Sequence, residues 1–109
     1  MKKLIVALFL ISTPALVSAA WADEPVVVHL KGHKFYPSTI KVKANQPSMI
    51  TLFNDDDTAD EFDSSALKVE KVVPGHAKGN IRLRALAPGK YPFMGEYHAA
   101  TAQGVVIAE

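Results

Sequence analysis

From Val26 onward the chain runs in short apolar stretches separated by Gly, Pro, Asn and Asp. Val26-Val27-Val28-His29-Leu30 is β-branched and apolar, and Thr39-Ile40-Lys41-Val42-Lys43 alternates with a period of two. Asn45-Gln46-Pro47 turns the chain into Met49-Ile50-Thr51-Leu52-Phe53, and a polar stretch from Asn54 to Ser65 follows. Leu67 to Val73 leads to a Pro74-Gly75 turn, Gly79 to Arg84 alternates again, and Pro88-Gly89 opens two closing strands. A period of two places successive side chains on opposite faces, so each run reads as a half-buried strand. No window carries a capped helical period; a single turn of helix fits only between Asp63 and Ala66. Seven or eight short strands with turns every ~8–12 residues predict an all-β, Greek-key antiparallel β-sandwich.

The front of the chain is of another kind. Lys2-Lys3, an apolar run from Leu4 to Val17 and a small-residue exit form the pattern of an export signal. The run is roughly 14 residues long against the ~20 that cross a bilayer. Ala20-Trp21-Ala22 fits the cleavage pattern, with Val17-Ser18-Ala19 as the competing site. Residues 1–22 are therefore expected to be removed, leaving a domain over 23–109 with no stable membrane insertion. Export implies a periplasmic location.

Without Lys2 and Lys3, ten basic residues face eleven acidic ones, a net charge of about −1. No basic cluster marks a nucleic-acid partner. Cysteine is absent, so no disulfide supports this small exported domain. Its stability rests on the apolar core, which at this length is marginal but sufficient.

Candidate chemistry lies in two places. Asp55, Asp56, Asp57, Asp60, Glu61 and Asp63 set six carboxylates within nine residues. Asp55 to Asp57 read as a solvated turn, since Asp side chains hydrogen-bond their own backbone. Glu61-Phe62-Asp63 reads as resumed alternation, with Phe62 inward and both acids on the other face, roughly 7 Å apart and able to share a cation. Glu96 and His98 repeat that spacing near the end of the next-to-last strand, and carboxylate plus imidazole suits a first-row metal. Of the other histidines, His29 lies within an apolar strand and reads as structural, and His76 reads as exposed at the opposite end. His33 lies in the first inter-strand loop.

The stretch from Gly89 to Ile107, a strand, a loop with one histidine and a closing Gly-plus-apolar strand, resembles the copper-ligand loop of cupredoxins. There a cysteine ends the first strand and a methionine or glutamine precedes the glycine; here Met94 stands at the cysteine position and Gln103 before Gly104. Together with Phe35-Tyr36-Pro37-Ser38-Thr39-Ile40, Glu61-Phe62-Asp63, Glu70-Lys71-Val72-Val73-Pro74-Gly75, Leu86-Ala87-Pro88-Gly89-Lys90-Tyr91 and Glu96-Tyr97-His98, the chain resembles cupredoxin-like domains of the EfeO type. These are periplasmic cupredoxins of ferrous-iron uptake systems. The resemblance implies that Glu61 replaces the copper histidine of the early strand and that His98 is the loop ligand. It implies a copper or iron ion, and an inner-membrane iron permease and other periplasmic iron-uptake proteins as partners.

The expected function is therefore periplasmic binding of copper or iron in support of ferrous-iron uptake, by metal binding or by metal-centred electron acceptance. The expected site is Glu61, Asp63, Glu96 and His98, with His33, Met94 and Gln103 as additional ligands. The competing expectation, from another class, is a β-sandwich interaction module or assembly subunit without metal. No Ser or Thr can be placed beside a histidine, so hydrolysis has no support; an accessory role in iron oxidation is the one enzymatic option.

Overall fold

The computed structural model describes residues 24–109; the expected leader and its boundary after Ala22 lie outside them. Nine strands follow one another: β1 Val26–Lys31, β2 Lys34–Tyr36, β3 Thr39–Val42, β4 Ser48–Asn54, β5 Asp60–Ser64, β6 Val69–Val73, β7 Lys78–Leu83, β8 Gly89–Gly95 and β9 Gln103–Ala108. A single 3₁₀ turn, η1 Glu96–His98, separates β8 from β9. One sheet has the order β2-β1-β4-β7, the other β3-β9-β8-β5-β6. The expected all-β sandwich is present.

Two details differ from expectation. The strand count rises to nine because the residues after the Gly32-His33 turn, read as loop, pair back on β1 through Leu30 opposite Phe35. The sheets are mixed, because β1 pairs parallel with β4 and β3 parallel with β9. The chain leaves the first sheet to make β3 before returning as β4, and such a crossover brings strands back in parallel.

Alternation fills the space between the sheets. Val28, Leu30, Ile50, Leu52, Ile81 and Leu83 face inward from one sheet, and Ile40, Phe62, Val73, Phe93 and Val106 from the other. At one end Phe35, Phe62 and Phe93 pack together, Phe62 stacked on Phe93 at 4.7 Å and Phe35 edge-on to Phe93 at 5.0 Å. Gly104 is required here, since a Cβ at that position would strike the Phe93 ring. These three rings form the floor of the pole, because Asp60 lies two residues before Phe62 and Gly95 two after Phe93.

Candidate metal centre

The 55–59 loop organises that pole. Its first anchor is Asn54, which is buried and donates through Nδ2 to the carbonyls of Thr58 (2.8 Å) and Val73 (3.1 Å). Its Oδ1 accepts from Asp56 N (3.0 Å), so Asp56 is fixed as well. Asp56 in turn accepts from the backbone N–H groups of Gly32 (2.7 Å) and His33 (3.0 Å). Gly32 and His33 form a two-residue hairpin with φ of 59° and 57°. Positive φ at both central residues is the turn that matches strand twist, and it is uncommon for a non-glycine residue. Burial works to raise the Asp56 pKa, but the His33 and Gly32 N–H donors outweigh it, with help from His33 and His98, and hold the carboxyl below its usual value. The aspartates expected to form only a solvated turn therefore hold a neighbouring loop in place.

All four histidines of the chain pair with this stretch. His29 Nδ1 lies 2.7 Å from Asp55 Oδ2, His33 Nδ1 3.4 Å from Asp56 Oδ2, His76 Nε2 2.6 Å from Asp57 Oδ1, and His98 Nδ1 2.9 Å from Asp60 Oδ2. His76, expected at the opposite end, is thus at the same pole: its N–H donates to Asp56 O (3.0 Å), and a Cβ at Gly75 would collide with the Asp57 carbonyl. Close approach of two backbones requires glycine there. His29 does play a structural part, stacked on Phe53 at 5.0 Å across the β1–β4 pair, on the outer face of the sheet.

Behind the loop lies a half-buried group. Asp60 is 3% exposed; its Oδ1 accepts from the N–H groups of Glu61 (2.8 Å) and Tyr97 (3.1 Å), and its Oδ2 meets His98. The His98 ring stacks on His33, centroids 3.7 Å apart and planes at 11°. His33 Nδ1 is buried and makes no hydrogen bond, since its approach to Asp56 is poorly aimed.

The expected four-residue site is divided. Glu61 and Asp63 face outward on either side of buried Phe62, as their spacing requires. Opposite Asp63, across the β5–β6 pair, stands Glu70, and one carboxylate oxygen from each of Glu61, Asp63 and Glu70 lies within 4.8 Å of the others. Glu96 joins this face: the Glu61 carboxylate, by hydrogen bond and by charge, and then Asp63, push its pKa up to about 7. His98 does not join them. Glu96 and His98 sit in a 3₁₀ turn, not a strand, and at three residues per turn positions i and i+2 point in different directions. His98 turns to Asp60 on the inward side of β5; Tyr97 spans the two groups, its N–H on Asp60 and its hydroxyl 3.5 Å from Glu61 Oε2.

Met94 and Gln103 also lie outside. They are cross-strand neighbours on β8 and β9; Met94 is 41% exposed, and Gln103 Nε2 donates to Ala99 O (2.9 Å). The last position of β8 is Gly95, whose N–H donates to Ala102 O (2.9 Å). A Cβ there would lie 2.6 Å from Asp60 Oδ2 and 2.9 Å from the Ala102 Cβ. Met94, read at the cysteine position, thus faces outward, and its neighbour Gly95 faces inward. Glu61, read at the early-strand position, likewise faces outward, and its neighbour Asp60 faces inward.

A family model for the cupredoxin-like domain matches residues 3–108. The chain belongs to that family. An uncharacterized protein of Rickettsia prowazekii (strain Madrid E) is 42% identical over 82 residues, which is 75% of this chain and 66%, just under two thirds, of that protein. Among solved structures, a Cu(I) form of an amicyanin variant superimposes with a TM-score of 0.62 at 21% identity, covering 84% of this chain and 88% of amicyanin. The metal-binding domain of the Cu(I)-exporting P-type ATPase CopA of Streptococcus pneumoniae D39, with Cu(I), reaches 0.67 at 13% identity, over 78% and 84% of the two chains. At such identities these structures speak for the fold: the cupredoxin-like domain shares its sandwich with copper-binding proteins.

In this cupredoxin-like domain the inward residues at this pole are Asp60 and Gly95, and no thiolate is offered there. The donors fit a hard or borderline ion better than a thiolate-dependent one. His33 Nδ1, buried without a hydrogen bond 3.4 Å from Asp56 Oδ2 on a ring stacked against His98, is the atom that fits a bound cation. Asp60 and Glu70 were missed from the sequence. Asp60 carried a signal, because it shares the i, i+2 face of Phe62; Glu70 is defined only by the β5–β6 register.

Proposed function

We propose that the protein is an exported, cysteine-free cupredoxin of the EfeO type. It binds copper or iron in the periplasm and supports ferrous-iron uptake by an inner-membrane permease together with other iron-uptake proteins. The observation that carries this reading is the use of β5 on both sides: Asp60 inward against His98, and Glu61 with Asp63 outward against Glu70. Imidazole and carboxylate at the pole suit copper or another borderline ion, and the all-carboxylate face suits iron.

A bound copper would supply a one-electron acceptor. The chain's own groups do the rest. Asp60 orients the His98 ring through Nδ1, as outer carboxylates orient ligand imidazoles. Asp56 holds His33 in its left-handed turn. Glu96 keeps a proton near neutral pH because Glu61 and Asp63 repel its charge, and gives it up when a cation relieves that repulsion.

Calorimetric titration of Cu(II), Fe(II) and Zn(II) tests this reading. Glu61→Gln with Asp63→Asn lowers Fe(II) affinity at least tenfold and leaves Cu(II) near wild type; His98→Ala does the reverse. Copper loading gives no intense blue band, which needs a thiolate. One observation favours the second reading, an interaction module without metal: the Asp60–His98 pair and the His33–His98 stack already bind one another. A wild type that takes up none of the three ions selects that module.

A further inference from the structure

The outer face of the β2-β1-β4-β7 sheet meets a carboxylate only at its loop end, where Asp55 pairs with His29. No Asp or Glu occurs in any of its four strands. Lys31, Lys34, Lys78 and Arg82 project from it, all exposed, and none has an ion-pair partner among the described residues. Between them run apolar and aromatic rows. Tyr36, His29, Phe53 and Lys78 are cross-strand neighbours in one row, Val27 lies in the next beside Thr51, and Met49 pairs with Arg82. Tyr36 is 55% and Val27 49% exposed, an arrangement that no core requirement explains. The other sheet also carries lysines, Lys41, Lys71 and Lys90, but its strands mix them with Asp60, Glu61, Asp63 and Glu70, whereas the four strands here hold cations alone.

We propose that this face docks on an anionic phospholipid surface. The cations stand on both edge strands, Lys34 on β2 and Lys78 and Arg82 on β7, about 14 Å apart at the usual strand spacing. Three of the four are lysines, point charges that ask for no fixed partner geometry. A plane of mobile phosphate headgroups satisfies charges so spread, whereas an acidic protein would need carboxylates matched to each. Tyr36 and Phe53 supply the aromatic groups that favour the headgroup level. The Glu61, Asp63, Glu70 and Glu96 cluster belongs to the other sheet and its loop, so an anionic surface repels that cluster and attracts the cation-only face. Each Lys or Arg near such a surface contributes about 1 kcal/mol, roughly fivefold in partitioning.

Cosedimentation of the metal-free exported form with vesicles is the test, and it is independent of the metal reading. Vesicles of phosphatidylcholine with one third phosphatidylglycerol bind the protein at low salt, phosphatidylcholine alone does not, and ~1 M salt, with a Debye length of ~3 Å, releases it. Lys78→Glu with Arg82→Glu lowers partitioning at least ~25-fold, two cations at about fivefold each. Lys41→Glu with Lys90→Glu, at exposed positions of the other sheet, stays near wild type. Thermal melts of both double variants establish folding; should the first not fold, Lys31→Gln with Lys34→Gln takes its place. Equal binding to both vesicle types, equal loss in both double variants, or no vesicle binding alongside face-dependent binding to polyglutamate would overturn the proposal, the last in favour of an acidic protein partner.

Discussion

The two sides of β5 place the same chemistry in opposite circumstances. Inward, Asp60 is buried yet fully engaged, with two backbone N–H donors and an imidazole around one carboxylate. Outward, Glu61 and Asp63 meet further carboxylates, Glu70 and Glu96, and the mutual repulsion shows in the raised Glu96 pKa. A buried charge persists only where the fold supplies its partners. An exposed carboxylate cluster persists because water screens it, and it is left able to take a cation. One side of the strand therefore builds the pole, and the other keeps binding capacity in reserve.

The comparison breaks most severely if its shared foundation goes. Phe62, between the two acids, is 1% exposed and stacked on Phe93; Phe62→Ala costs about 3–5 kcal/mol in denaturant unfolding. Asp60→Ala leaves the N–H groups of Glu61 and Tyr97 without their acceptor and is expected to cost about 2–4 kcal/mol, given ~1.5–3 for a hydrogen bond to a charged group. The outward change Asp63→Ala, by contrast, stays within ~0.5 kcal/mol in the same assay, as surface substitutions do. Gly95→Ala pushes a methyl group toward Asp60 and Ala102 and costs about 1–3 kcal/mol.

The smallest effect sharpens the contrast. Glu96 has a folded pKa of about 7, above its ordinary 4.5, so the folded state holds more protons than the unfolded one between those values. Its contribution is present in full below pH 4.5 and is lost as pH rises through about 7. Melting temperatures measured across that window should fall less steeply with rising pH in Glu96→Gln than in wild type. An unchanged slope would show that the outer carboxylates do not repel one another.

Much of this was legible in the chain. Period-two alternation placed Phe62 inside and Glu61 and Asp63 outside without any knowledge of neighbours. The same period, applied one residue earlier, would have put Asp60 inward; the crowd of acids before it obscured where the strand began. Glu96-x-His98 failed for another reason. Strand spacing was assumed, but β8 ends at Gly95 and the next three residues tighten into a 3₁₀ turn, which swings His98 away from Glu96.

Local pattern by itself determined the strands, their inward faces and the all-β class, because side-chain direction along a strand depends only on residue parity. Which groups meet was decided by the tertiary structure. The 55–59 loop reaches three histidines and Asp60 at the start of β5 a fourth, each lying 19 to 38 residues from its aspartate, and Glu70 reaches Asp63 only through the register of two strands. Contacts between distant segments follow from sheet order and loop packing, which no short window of sequence contains.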